Sequence, residues 1–93
     1  MTGKPRPILV IQNDLAMEHG TVVACLITTE LKGVGMIRLA ISPTPENGLE
    51  RPSEIQVDQI HTFRRSSIDR CIGALSVEQM ERVDEALRRW LSL

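Results

Sequence analysis

Arg6, Thr28 and the stretch from Asp58 to Arg65 carry the side chains best suited to handling an anion. A guanidinium offers a planar fork of donors, and a threonine hydroxyl adds one donor that can also accept. Arg6 precedes an apolar run, Thr28 and Thr29 end a second, and Asp58-Gln59 interrupts a later one. Strand ends open onto loops and solvent, where rigid scaffolds commonly hold functional groups. Each residue also has a plainer use: an arginine between prolines is usually solvated, and a terminal threonine can cap a turn. No G-x-S-x-G, phosphate-binding loop, G-x-G-x-x-G or H-E-x-x-H pattern occurs.

The elements that must position these groups can be read from hydrophobic patterning. Ile8–Ile11 and Thr21–Ile27 are continuous apolar runs, expected to be strands covered on both faces. The polar stretch through Glu18, His19 and Gly20 connects them. After a Lys32-Gly33-Val34-Gly35 turn, Met36–Ile41 is a third strand. Ser42–Pro52 holds three of the five prolines and Asn47-Gly48, the mark of a loop with a tight turn. In Ser53–Ile60, Ile55 and Val57 alternate with Glu54, Gln56 and Asp58, so the acidic side is expected to face solvent. His61–Phe63 continues this strand, Arg64–Asp69 makes a single turn, and Arg70–Leu75 is a last short strand.

The chain ends in a helix. Ser76 and Gln79 form a capping-box pattern, and Met80, Val83, Leu87, Trp90 and Leu91 recur at helical spacing. Trp90 is expected in the core or at a dimer contact. Glu78–Arg82, Asp84–Arg88 and Glu85–Arg89 are candidate i,i+4 pairs, with acid leading as the helix dipole prefers.

Composition narrows the class. Ninety-three residues with 42% apolar content suffice for one small folded domain. A net charge of −1 excludes whole-molecule attraction to nucleic acid, so any such contact needs a local patch. Phe63 and Trp90 are the only aromatics, which excludes modules that stack bases on an aromatic platform. Cys25 and Cys71 lack a C-x-x-C partner and are expected as buried free thiols in a reducing cytoplasm. With His19 and His61 they show no metal-ligand spacing. No apolar run is long enough to span a bilayer.

Arg6-Pro7 followed by Ile8-Leu9-Val10-Ile11-Gln12-Asn13-Asp14 resembles a characteristic segment of the MazF/PemK toxins. Thr21–Thr28 is similar to their next strand, Asn47-Gly48-Leu49, Ser53 and Val57-Asp58-Gln59-Ile60 to their third block, and Ile72–Ser76 plus the helix to their end. The match is collinear over nearly the whole chain. It implies a mainly β (α+β) fold, an SH3-like small barrel of the CcdB/PemK type with a C-terminal helix. The family's first strand, which precedes Arg6 in typical members, is missing, and its loss should expose a sheet edge.

The resemblance also implies the toxin of a toxin–antitoxin pair: a cytoplasmic, homodimeric endoribonuclease that cuts single-stranded RNA at short motifs without metal or cofactor. The 2′-hydroxyl attacks the neighbouring phosphate. By that resemblance Arg6 and Thr28 are catalytic and Gln59 lies in the RNA-binding region, with His61, Arg64 and Arg65 as a cationic path for the backbone. A cognate antitoxin with a flexible acidic segment is the expected partner. Two alternatives share the scaffold: a CcdB-like gyrase poison acting through Trp90–Leu93, and a decayed toxin that only binds antitoxin.

Overall fold

The computed structural model describes residues 5–12, 20–33, 35 and 37–93. Four antiparallel strands form one sheet: β1 (Ile8–Val10), β2 (Thr21–Thr28), β3 (Arg38–Ile41) and β4 (Ser53–Arg64), in the order β1-β2-β4-β3. A 3-10 turn at Arg65–Ser67 and helix α1 (Val77–Leu91) complete the chain. The sheet curls into a half-barrel closed on one side by the helix. Asn13, Asp14, the Glu18-His19 connection, Val34 and Met36 lie outside the described residues.

Both faces of the sheet bury side chains, Val22 and Ala24 on one and the main apolar cluster on the other. Cys25, Ile27, Ile41 and Ile55 are buried with Val83 of α1, and Leu9, Ile11, Leu39, Ile60 and Leu87 pack around them. Period-two alternation therefore assigns Leu9, Cys25, Ile27, Ile55 and Leu39 to the core side. The pairings Ile8↔Leu26↔Gln56↔Arg38 run across the other side, which stays partly open.

β4 carries an irregularity that bends it. Leu26 pairs with Gln56 but Cys25 pairs with Ile60, so Val57, Asp58 and Gln59 have no counterpart on β2. An insert of odd length inverts the alternation: Gln56 is on the open side, whereas Ile60 is on the core side and His61 on the open side.

Three sequence expectations change. Arg70–Leu75 is not a strand: Ala74 N–H reaches the Glu46 carbonyl at 2.9 Å, so the segment packs against a loop. That loop is wired by buried Asn47, whose Oδ1 accepts the Thr44 and Leu49 N–H groups while Nδ2 donates to Ser42. Gly48 comes next at φ +67°, and a Cβ there would collide with the Ile72 carbonyl. Trp90 is 46% exposed rather than in the core; the helix buries Val83 and Ala86 instead. Cys71 is an exposed thiol, while Cys25 is buried.

The capping box of α1 forms as expected, Ser76 Oγ accepting Gln79 N–H and Gln79 Oε1 accepting Ser76 N–H. Of the expected pairs, Glu85–Arg89 forms at 3.1 Å and Glu85 also reaches Arg88 at 3.7 Å. Glu78–Arg82 and Asp84–Arg88 make no ion pair among the described residues.

Candidate active site

β1 and β2 lead the chain's best candidates toward each other. Ile8 pairs with Leu26 at the start of β1; Arg6 lies two residues before that pair and Thr28 two residues beyond it, so a continued antiparallel register would lead each toward the other. Arg6 is exposed and makes no hydrogen bond or ion pair among the described residues. Thr28 is half-buried, and its Oγ1 accepts the Glu30 N–H at 3.0 Å. A hydroxyl that accepts in this way keeps its own hydrogen for another partner. A free guanidinium and an oriented hydroxyl, when brought to one spot, can share a phosphate group.

The next residue in this row was missed by sequence reasoning. Thr28 pairs with Glu54, which was expected to face solvent but is only 4% exposed. The cause is topological. The chain leaves β2 and must cross β4 to reach β3, and the crossing segment brings its N–H groups over Glu54. Lys32 N–H donates to the carboxylate at 3.0 and 3.1 Å, Gly33 N–H at 2.8 Å, and Arg38 Nη1 at 3.1 Å. Arg38 also reaches the Glu30 carbonyl and Gln56 Oε1, each at 3.1 Å. The Lys32 and Gly33 hydrogen bonds, then Arg38, hold the Glu54 carboxyl below the usual glutamate range. These partners lie 16 to 22 residues away in sequence, so no local pattern announces them.

The remaining candidates spread along β4. Gln59, in the inserted triplet, is half-buried, and its Oε1 lies 3.2 Å from His61 Nε2. His61 pairs with Ala24, which puts it on Thr28's side about 13 Å along the strand at ~3.3 Å per residue. The His61 and Phe63 rings approach to 6.2 Å between centroids. Arg64 is exposed and pairs with Thr21, at the far end of β2, about 23 Å from Thr28 on the same spacing. Arg65 is half-buried, with its N–H on the Gly20 carbonyl. The structure thus sets Arg6 just before β1 and Thr28 at the end of β2, Gln59 and His61 midway along β4, and Arg64 and Arg65 at the end opposite Thr28.

A groove of about 470 Å³ between Leu39 and the Glu78–Arg89 side of α1 includes none of these residues. Among the described residues no group of His, Cys, Asp and Glu is arranged to hold a metal, and no helix is long and apolar enough to cross a membrane. Burial pushes the Cys25 thiol up, with Asp58 adding to it, so this thiol stays protonated in the core.

Comparison with known proteins agrees with this fold. The model for the "PemK-like, MazF-like toxin of type II toxin-antitoxin system" family matches residues 1–91. The chain is 37% identical over 92 residues to the probable endoribonuclease MazF of Mycolicibacterium smegmatis, covering 99% of this chain and 84% of that one. The structure of the Mycobacterium tuberculosis toxin MazF-mt6 superposes with a TM-score of 0.83 at 26% identity, over 95% and 87% of the two chains. A mycobacterial endoribonuclease solved with its cognate antitoxin has the same fold, at a TM-score of 0.81 and 22% identity over 95% and 82%. The family match over residues 1–91, with 37% identity to a MazF relative over nearly the whole chain, places this chain in the PemK/MazF family of toxins of type II toxin–antitoxin systems.

Proposed function

We propose that this chain is the toxin of a toxin–antitoxin pair, an endoribonuclease that cleaves single-stranded RNA at short motifs without a metal ion. The 2′-oxygen attacks the adjacent phosphorus, the bond to the 5′-oxygen breaks, and that oxygen takes up a proton. The products are a cyclic phosphate and a 5′-hydroxyl. Arg6 donates to the non-bridging oxygens as negative charge builds on them, and Thr28 adds a hydrogen bond from the other strand. Neither group is a good base at neutral pH, so placement contributes more than proton affinity. Gln59 and His61 guide the neighbouring nucleotide, and Arg64 and Arg65 draw the backbone onward.

The observation that supports this reading is the β1–β2 register, whose continuation past Ile8↔Leu26 leads Arg6 toward Thr28. An open sheet face suits an extended polymer better than a small molecule, which needs a concave pocket. The antitoxin covers this face with a flexible acidic segment; the mycobacterial relative solved with its cognate antitoxin supports a partner of that kind. The exposed Trp90, Leu91 and Leu93 supply an apolar surface for a homodimer.

The test incubates the purified 93-residue chain with a long unstructured RNA in EDTA, beside an Arg6→Ala control. Cleavage at recurring short motifs by the parent alone is the expected result. A folded parent that leaves the RNA intact overturns the proposal.

The exposed Trp90 also favours a second reading, a gyrase poison acting through its C-terminal residues. Such a protein would trap DNA cleavage complexes, leave RNA whole, and lose its effect on deletion of residues 90–93.

A further inference from the structure

Resting on the reading that Thr28 donates to the reacting phosphate, we infer that Glu54 is a positioning residue for Thr28. It acts through the Glu30–Gly33 crossing segment, which its carboxylate and Arg38 fasten to β4. Thr28 is the last residue of its strand, and among the described residues no strand pairing continues beyond it. Its hydroxyl is aimed by one contact, the N–H of Glu30. Glu30 is held in turn from its other side, because its carbonyl accepts Arg38 Nη1 at 3.1 Å. Two residues later the chain is fastened again, by the Lys32 and Gly33 N–H groups on Glu54. Arg38 is itself fixed between Glu54 and Gln56.

Most of what fastens the Thr28 turn therefore leads to one buried carboxylate. An ionised carboxylate offers about four acceptor positions, enough for two backbone N–H groups and a guanidinium together. These donors occupy it, so Glu54 has no role as the base that activates the 2′-hydroxyl. Its effect reaches the phosphate only through Thr28. A glutamine at this site has one acceptor oxygen and an NH₂ facing other donors, so part of the fastening is lost while side-chain volume is kept. The Thr28 hydroxyl then samples orientations that miss the phosphate, and small misplacements of a donor are costly in rate.

The experiment is a cycle of the parent, Glu54→Gln, Thr28→Ala and the double variant, each assayed for kcat and KM on a short single-stranded RNA and checked for folding by thermal unfolding. Glu54→Gln lowers kcat roughly tenfold with KM within about twofold, the pattern of a lost transition-state interaction. In the double variant the loss does not compound: its kcat falls within about twofold of Thr28→Ala alone, because the two residues act as one unit. Independent losses that multiply in the double variant, or a Glu54→Gln chain as fast as the parent, overturn the inference and leave the ribonuclease reading standing. A Thr28→Ala chain as fast as the parent instead overturns the catalytic assignment of Thr28 and this inference with it. Should Glu54→Gln fail to fold, Arg38→Lys takes its place in the same cycle. It keeps a cation beside Glu54 but lacks the fork that also reaches Glu30 and Gln56, and it is read by the same criteria.

Discussion

Thr28 stands directly opposite Glu54 across the β2–β4 ladder, yet the two side chains do not bond to each other; each is tied to the segment that crosses between them. The hydroxyl of Thr28 thus stays available on the open face. Replacing it with the near-isosteric valine removes the donor while keeping the β-branched strand residue. Thr28→Val should lower kcat about 10²-fold, in line with loss of one oriented donor in a transition state. Its thermal midpoint should fall only slightly, since the bond lost to Glu30 N–H is exposed and worth about 1 kcal/mol at most. Cleavage of a fluorogenic RNA and a melting curve measure both.

Acid should loosen the crossing segment. The folded-state pKa of Glu54 is depressed, so its contribution to stability is present above the unfolded value of about 4.3 and is lost as pH falls through the folded value. Urea midpoints measured across this range should decline for the parent and decline less for Glu54→Gln, which has no proton to take up. Parallel curves would show that the Glu54 hydrogen bonds do not set the acid sensitivity.

Gly48 tests the loop that replaces the expected last strand. An alanine there must adopt φ +67° and push its Cβ into the Ile72 carbonyl. Gly48→Ala should cost about 2–3 kcal/mol, combining left-handed strain with overpacking. The readout is chemical denaturation.

Val83 is 1% exposed and joins α1 to the core face of the sheet. Truncation to alanine should cost about 2 kcal/mol through lost burial and the cavity left behind. For a domain of this size that is a drop of roughly 8–16 °C in melting temperature.

His61 tests the track along β4. On the proposed reading, His61→Ala removes a contact made equally in ground and transition states. KM for a short RNA should rise about three- to tenfold with kcat little changed. A matching fall in kcat would place His61 at the reacting phosphate instead.

How much was legible in the sequence depended on how local each signal was. Thr21–Thr28 and the capped helix announce themselves through β-branched density and the Ser76–Gln79 pair, and both stand as expected. Arg6 and Thr28 were found by resemblance, and only the β1–β2 register leads one toward the other. Alternation put Glu54 on the correct face of β4. It could not show that the connection from β2 to β3 passes over that face and buries it. Arg70–Leu75 had a strand's composition, but among the described residues its backbone finds the Glu46 carbonyl rather than a strand edge. Trp90 matched the helical period, yet the helix rotates Ala86 toward the sheet and leaves Trp90 toward solvent.

The Val57–Gln59 insert has a bearing on which changes this strand can absorb. Substitutions at half-buried Asp58 and Gln59 alter only local chemistry, whereas Val57 is fully buried, and the length of the triplet governs the residues after it. Losing or gaining one residue would turn Ile60 to water and His61 and Phe63 toward the hydrophobic interior. Only changes of two residues at a time preserve the orientation of the strand's second half. Variants of this protein should therefore tolerate new letters at positions 58 and 59 far more readily than a single-codon deletion.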